Sequence, residues 1–213
     1  MKIYALSGLG ADERVFNYLN LSAEIIPIPW IVPQKDEPLS AYALSLSEAI
    51  DTKEEFILLG VSFGGLVAVE LAKQLSPKLT ILISSAETKY ELRSSFRLLG
   101  RLGLLRWIPS KYFDPPRKVI YWLFGTHHQN LLGQILDDTD WTFGKWASIE
   151  LITWSNTAPI KGEVLKISGG KDRVIPPSKD PRIHLIPQGG HFMVVDLADE
   201  VSEVINGRLR EGL

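Results

Sequence analysis

A serine placed between glycines is the first candidate for chemistry in this chain. The pentapeptide Gly60-Val61-Ser62-Phe63-Gly64 has the spacing G-x-S-x-G, with an apolar run before it and an amphipathic helical pattern after it. Small residues on both sides permit a tight, strained turn that holds a hydroxyl away from the strand and the helix. Ser62 is therefore a candidate nucleophile. The alternative is a serine that only caps an ordinary strand-to-helix turn.

A serine hydroxyl is a weak nucleophile unless a base removes its proton, and the four histidines are the candidates for that base. His127 and His128 fall in a region of helical patterns, and His184 falls inside a strand pattern. His191 follows two glycines and precedes the last predicted helix, so its loop can direct the imidazole toward Ser62. The alternative for His191 is a loop histidine that caps this helix.

An imidazole base needs an anionic partner that fixes its tautomer and stabilises the imidazolium. Asp172 lies in the glycine-rich stretch ISGGKDRVIPP, directly after the fifth predicted strand, and Glu87 after the fourth strand is the rival acid. Asp172 is also compatible with an ordinary turn. We predict the set Ser62, Asp172 and His191, because three loops that follow parallel strands converge at one sheet edge.

A tetrahedral intermediate also needs hydrogen-bond donors for its oxyanion. We predict that the backbone N–H of Phe63, directly after the candidate nucleophile, is one of them. The second is the backbone N–H of Leu9, in the loop SGLGADERVF after the first strand. The alternative is that the glycines of this loop only permit a tight turn and that the loop supplies no oxyanion donor.

Short apolar runs alternate with helical patterns at both ends of the chain, which predicts a parallel sheet covered by helices on both faces. Pro27 and Pro29 lack ladder donors, so the second strand belongs at or near an edge. Asp12 and Ser40 are predicted to cap the first two helices, and a last helix covers His191–Leu209. The predicted strands are Lys2–Gly8, Ala23–Trp30, Glu55–Gly60, Lys78–Ser85, Glu163–Gly170 and Arg182–Pro187.

Strand patterns are missing from about Glu87 to Pro159, where short helical patterns are broken by Gly, Pro and Asp. We predict a helical insertion after the fourth strand, above the carboxyl edge of the sheet. Its aromatic residues either line an apolar pocket or pack the small helices together: Trp107, Tyr112, Phe113, Trp122, Phe124, Trp141, Phe143, Trp146 and Trp154.

The composition excludes several kinds of protein. The chain has 213 residues, no cysteine and a formal net charge of -2, so thiol nucleophiles, disulfides and thiolate metal sites are absent. The basic residues form no long run, which argues against nucleic acid and anionic membrane surfaces as partners. The N-terminus has no signal-peptide pattern, and no apolar run is long enough to span a membrane. A cytoplasmic location is expected.

Together these segments resemble the α/β-hydrolase superfamily. GVSFGG resembles its nucleophile elbow, GGKDRVIP its acid loop and GGHFMVVDLADEV its histidine loop, and the order Ser62, Asp172, His191 is the one associated with that family. SGLG is similar to the family's oxyanion segment, with Ser7 where a histidine is usual. The resemblance implies an α/β-hydrolase fold with a trimmed, mostly parallel sheet of about six strands. It divides the chain into a core, residues 1–86 and 160–213, and a helical cap, residues 87–159.

The resemblance also implies a serine hydrolase that needs no metal and no organic cofactor. The expected substrate is a small to medium hydrophobic carboxylic ester or thioester, a small-molecule acyl donor. Alternatives on the same three residues are an acyltransferase, a lyase or a carbon–carbon bond hydrolase, because a fold does not determine the reaction. A receptor that binds a ligand without turnover is the remaining alternative.

Overall fold

The protein is described from a computed structural model for residues 1–110, 113 and 115–211. Six strands form one sheet in the order β2-β1-β3-β4-β5-β6, and all of its paired strands are parallel. The predicted α/β fold with about six parallel strands is confirmed. The strands are Lys2–Leu6 (β1), Glu24–Pro27 (β2), Phe56–Val61 (β3), Leu79–Ile83 (β4), Glu163–Gly169 (β5) and Ile183–Ile186 (β6).

The position of each strand follows from its apolar content. All six residues of β3, sequence FILLGV, are buried, as expected for a central parallel strand covered on both faces. In contrast, β2 is partly exposed and lies at one edge, as its prolines predict. The carboxyl ends of β1, β3, β4 and β5 therefore share one buried edge.

Helices cover both faces of the sheet. They are Leu39–Leu46 (α1), Phe63–Leu75 (α2), Ser94–Leu102 (α3), Arg117–Phe124 (α4), Gln129–Asp137 (α5), Trp141–Thr153 (α6), Met193–Asp196 (α7) and Ala198–Arg210 (α8), with 3₁₀ helices at Glu13–Tyr18, Ser47–Ala49 and Leu104–Trp107. One apolar layer contains residues of α1, α2 and α6, and the other contains residues of α5, α7 and α8. Alternate residues of β1 and of β3 contribute to the two layers, as the two-residue period of a strand requires. Among the described residues, none of the helices combines the length and the apolar content that a membrane span needs.

Three helix predictions differ in detail from the structure. Asp12 does cap the first helix, because its carboxylate accepts the Arg14 N–H, but that helix is a short 3₁₀ helix. The prediction for Ser40 is wrong: this residue lies inside α1, which starts two residues earlier than a Ser40 cap implies, with Pro38 at the cap position. The last helix is interrupted at Leu197, whose φ of -130° lies outside the helical range.

The described part of the long connection from β4 to β5 contains the helices α3 to α6 and one 3₁₀ helix, joined by irregular segments, and no strand. In α6, Phe143, Ala147 and Leu151 pack into the layer beside α1 and α2, so this helix belongs to the same apolar layer. The predicted cap boundaries at residues 87 and 159 stay a prediction, and Tyr112 lies outside the described residues.

The short connection from β5 to β6 contains no helix, and a buried charge cluster lies beside it. Lys166 on β5 is 2% exposed, and its ammonium donates to Glu91 at 2.6 Å and to Asp180 at 2.8 Å. Arg182 donates to Asp180 and Glu87, and its hydrogen bond lowers the pKa of Asp180 well below the ordinary value, with a further contribution from Lys166. The three carboxylates converge closely enough to bind a cation, but the Lys166 ammonium already lies among them.

Candidate active site

Ser62 lies at the turn between β3 and α2, in a strained conformation with φ of 53° and ψ of -119°. Gly64 makes the turn possible, because a Cβ there would collide with the carbonyl oxygens of Leu6 and Ser7 at the end of β1. The Ser62 N–H donates to Ile83 O at 2.9 Å. The hydroxyl is thus presented at the carboxyl edge of the sheet.

The Ser62 hydroxyl reaches the imidazole of His191. Its Oγ lies 2.8 Å from His191 Nε2, and the two residues are 8% and 3% exposed. The backbone of His191 is fixed by an N–H donated to Phe124 O at 3.1 Å, and the Phe124 ring packs edge-on against the imidazole at 5.0 Å. Backbone and aromatic contacts therefore hold the histidine loop against the end of α4.

Asp172 completes this chain of hydrogen bonds. Its Oδ2 lies 2.8 Å from His191 Nδ1, and its Oδ1 accepts the backbone N–H groups of Val174 and Ile175 at 2.8 and 2.9 Å. An ionised carboxylate only accepts, so Nδ1 carries the imidazole proton and Nε2 is free to accept the Ser62 hydroxyl. Such an arrangement allows an imidazole to remove a hydroxyl proton during attack on a carbonyl carbon.

The rival candidates lie elsewhere. Glu87, the alternative acid, is bound by Arg182 in the buried charge cluster. His128 lies 2.9 Å from Asp196 on an exposed surface, and His184 is exposed on β6. Of the candidates that the sequence offers, the structure therefore brings together Ser62, Asp172 and His191.

The loop after β1 lies directly beside Ser62. A Cβ added to Gly8 would be 3.5 Å from the Ser62 Cβ. The Ser7 hydroxyl donates to Ala11 O at 2.7 Å and so braces the turn from Gly8 to Gly10. Ser7 therefore stabilises this loop from the position where the family that the sequence resembles usually has a histidine.

The two predicted oxyanion amides belong to this loop and to the start of α2. Phe63 is the first residue of α2, where a backbone N–H has no partner within the helix. Neither the Leu9 N–H nor the Phe63 N–H donates a hydrogen bond to a described residue. Both amides thus have no described acceptor, and their role as oxyanion donors stays a prediction.

A small apolar slot opens beside Ser62 and His191. Its volume is about 20 Å³, close to the space of one water molecule or methyl group. Besides Ser62 and His191, its walls are Gly8, Leu9, Ala11, Val15, Val61, Phe124, Phe192 and Val194. A larger cavity of about 190 Å³ lies across the Gly10–Asp12 loop and touches neither Ser62 nor His191, so we assign the chemistry to the slot.

The aromatic residues of the long connection have different environments. Phe124 lines the slot, whereas Phe143 lines the larger cavity. Trp154 is buried and donates to Glu70, and Trp146 packs against Tyr42 and Phe63. Trp107 and Trp122 are exposed. Of the predicted pocket aromatics, only Phe124 contacts the slot within the described part of the chain.

Two contributions were missed from the sequence. The buried hydroxyl of Ser85 donates to Ser62 O at 2.6 Å and thereby supports the strained turn, and the serine pair at the end of the fourth strand was the available signal. The Phe124 carbonyl accepts the His191 N–H, and no local pattern indicates such a long-range contact.

Comparisons with known proteins agree with this fold. Residues 4–204 match a family model described as the alpha/beta hydrolase family. None of the curated proteins matches the sequence. A malate-bound thermophilic esterase from Thermogutta terrifontis is similar, with a TM-score of 0.76, 16% identity, and 99% of this chain and 90% of that chain covered.

Other solved structures have the same fold. MenH from S. aureus has a TM-score of 0.67 at 20% identity, with 99% of this chain and 94% of that chain covered. A meta-cleavage product hydrolase from Pseudomonas fluorescens has a TM-score of 0.67 at 14% identity, with 100% and 92% covered. At these identities the similarity shows the α/β-hydrolase fold alone.

Proposed function

The chain belongs to the alpha/beta hydrolase family, and from this premise we propose that it is a serine hydrolase that cleaves a small to medium apolar carboxylic ester or thioester. One observation carries the proposal: hydrogen bonds of 2.8 Å link Ser62 to His191 and His191 to Asp172 at the carboxyl edge of the sheet. Family membership supports hydrolase activity, and this geometry supports a serine nucleophile.

In this mechanism Ser62 Oγ attacks the carbonyl carbon while His191 Nε2 accepts its proton. Asp172 holds the proton on Nδ1 and stabilises the imidazolium. The backbone N–H groups of Leu9 and Phe63 donate to the oxyanion, a contribution for which each lost donor typically costs about 10² to 10³ in rate. His191 then gives its proton to the leaving alcohol or thiol, and an acyl-enzyme remains.

Hydrolysis of the acyl-enzyme uses the same groups. His191 accepts a proton from a water molecule as its oxygen attacks the acyl carbon. The bond between the acyl carbon and Ser62 Oγ then breaks, the proton passes from His191 to that oxygen, and the carboxylic acid leaves. Both half-reactions use the same groups: the Ser62 hydroxyl, the His191 imidazole, the Asp172 carboxylate and the two backbone donors.

The slot supports a small apolar group on one side of the scissile bond. Its walls include Leu9, Val15 and Val194 and present little polar surface. Burial of apolar substrate atoms there is favourable by about 0.8 kcal/mol per CH₂, but the space admits only a short chain. We therefore expect acetyl-sized or similar groups to react faster than long chains.

Acyl transfer to an alcohol is the second candidate. The low exposure of Ser62 and His191 limits access of bulk water to the acyl-enzyme. An alcohol that occupies the site in place of water would then receive the acyl group. Product analysis with added alcohol separates the two outcomes: hydrolysis gives the free acid, and transfer gives a new ester.

A fluorophosphonate probe tests the nucleophile directly. We expect the probe to add its phosphonyl mass to the peptide that contains Ser62, and we expect Ser62→Ala to abolish both labelling and ester turnover. Ser45→Ala, at an exposed serine of α1, is the matched control and should react like the unmodified protein. Unchanged labelling of folded Ser62→Ala would overturn the proposal, and labelling without turnover of any ester would favour a ligand receptor.

A further inference from the structure

Large apolar side chains face solvent on α3 and on the 3₁₀ helix that follows it. Leu98 and Leu102 are 58% and 57% exposed, and their spacing of four residues places them on one helix face. Leu104 is 54% exposed and Trp107 is 86% exposed. Exposed apolar side chains are common singly, but a run of this kind indicates a contact surface.

The same part of the chain is strongly basic. Residues 89–122 contain eight Lys or Arg and two Asp or Glu, whereas the whole chain has 23 Lys or Arg and 25 Asp or Glu. Arg101 and Arg106 are exposed beside the apolar side chains. No described carboxylate lies within ion-pair distance of either arginine.

Exposed apolar side chains also occur on α4. Val119 is 48% and Trp122 is 61% exposed on this helix. The Arg173 guanidinium lies 4.7 Å from the Trp122 ring, and Arg93, just before α3, donates to Arg173 O at 2.7 Å. Arg173 thus joins the start of α3 to the exposed tryptophan of α4.

We propose that this basic apolar surface, formed by the described residues of the segment 94–122, binds an anionic lipid surface. Tryptophan and leucine side chains enter the boundary between headgroups and acyl chains, and arginines bind the lipid phosphates. A second copy is a poorer occupant, because a symmetric contact would bring the arginines of the two surfaces together. The proposal departs from the expectation against anionic membranes, which rested on the absence of a long basic run, because the basic residues here recur at 93, 97, 101 and 106.

This inference does not depend on ester hydrolysis, because lipid binding can be measured without a substrate. The surface nevertheless lies close to the slot, since α4 carries the exposed Trp122 and ends at Phe124 in the slot wall. An apolar substrate dissolved in the lipid would therefore meet the protein near its reactive groups.

The full chain should be mixed with phosphatidylcholine vesicles that contain or lack phosphatidylglycerol, and sedimented with them. We expect binding to the anionic vesicles, weakened by added salt because exposed charges are screened. The variant Leu98→Ser/Leu102→Ser/Trp107→Ser and the charge reversal Arg101→Glu/Arg106→Glu should each reduce the affinity at least about tenfold. Circular dichroism should show that both variants stay folded.

Matched controls carry the same changes elsewhere on the surface. Leu44→Ser and Lys35→Glu/Lys53→Glu alter exposed residues outside the segment and should bind like the unmodified protein. Absence of binding to anionic vesicles would overturn the proposal, and so would an equal loss of affinity in the control variants. So would a concentration-dependent dimer in sedimentation velocity that the triple serine variant abolishes, since the surface would then belong to a second copy.

Discussion

At the sheet edge, Ser62, Asp172 and His191 are each less than 10% exposed, whereas Trp107 in the helical connection above it is 86% exposed. The sheet-borne groups are held by buried backbone hydrogen bonds, such as those from Val174 and Ile175 to Asp172. The described helices α3 and α4 instead place apolar side chains outward. Under the proposed function, the sheet fixes the reacting groups and the helices control what approaches them.

Asp172→Asn should cause the largest effect and tests the sheet side of this comparison. An amide can donate to the imidazole and so favours the wrong tautomer, and kcat on a short p-nitrophenyl ester should fall by about 10⁴. Asp199→Asn, at an exposed position of α8, is the control and should leave kcat unchanged. A loss below tenfold in folded protein would remove Asp172 from the mechanism.

Lys166→Met should cause the next largest effect and tests how the helical connection is joined to the sheet. Lys166 on β5 binds Glu91, which precedes α3, and Asp180 in the connection to β6. Without the ammonium, buried carboxylates lose their partner, and the free energy of unfolding in urea should fall by about 3–5 kcal/mol. Lys179→Met, at an exposed position, should change it by less than about 0.5 kcal/mol. An equal change in the free energy of unfolding for the two variants would contradict this account of the cluster.

Phe124→Ala should cause the smallest effect and tests the helical side. Truncation enlarges the slot, so the ratio of kcat/KM for a hexanoyl ester to that for an acetyl ester should rise by about tenfold. Trp107→Ala, an exposed aromatic of the same connection, is the control and should keep the original ratio. An unchanged ratio for Phe124→Ala would mean that the varied chain binds outside the slot.

The sequence predicted the sheet side of the molecule far better than the helical side. Each strand is a short apolar run that ends at glycine or a turn, and Ser62, Asp172 and His191 follow such runs, so parallel topology alone brings them to one edge. The strand pattern of β5 was recognisable even though it contains Lys166. The burial of this lysine depends on carboxylates elsewhere in the chain.

The remaining features depend on contacts between distant residues. The wall formed by Phe124 leaves no local pattern, and the serine pair that includes Ser85 does not indicate which group its hydroxyl supports. Ser40 was assigned as a cap from its residue type, but Pro38 sets the start of α1. Short helices broken by glycine and proline carry too little periodicity to predict which of their faces is buried.

The hydrogen bond from the His191 N–H to Phe124 O has a consequence for the evolution of selectivity. The same residue supplies a wall of the slot with its ring and an anchor for the imidazole with its carbonyl group. A backbone shift at the end of α4 that admits a longer chain must also displace or release the histidine. New substrate preferences on this scaffold should therefore arise by exchanging side chains at a preserved backbone, and insertions near residues 124–125 should cost turnover for every substrate alike.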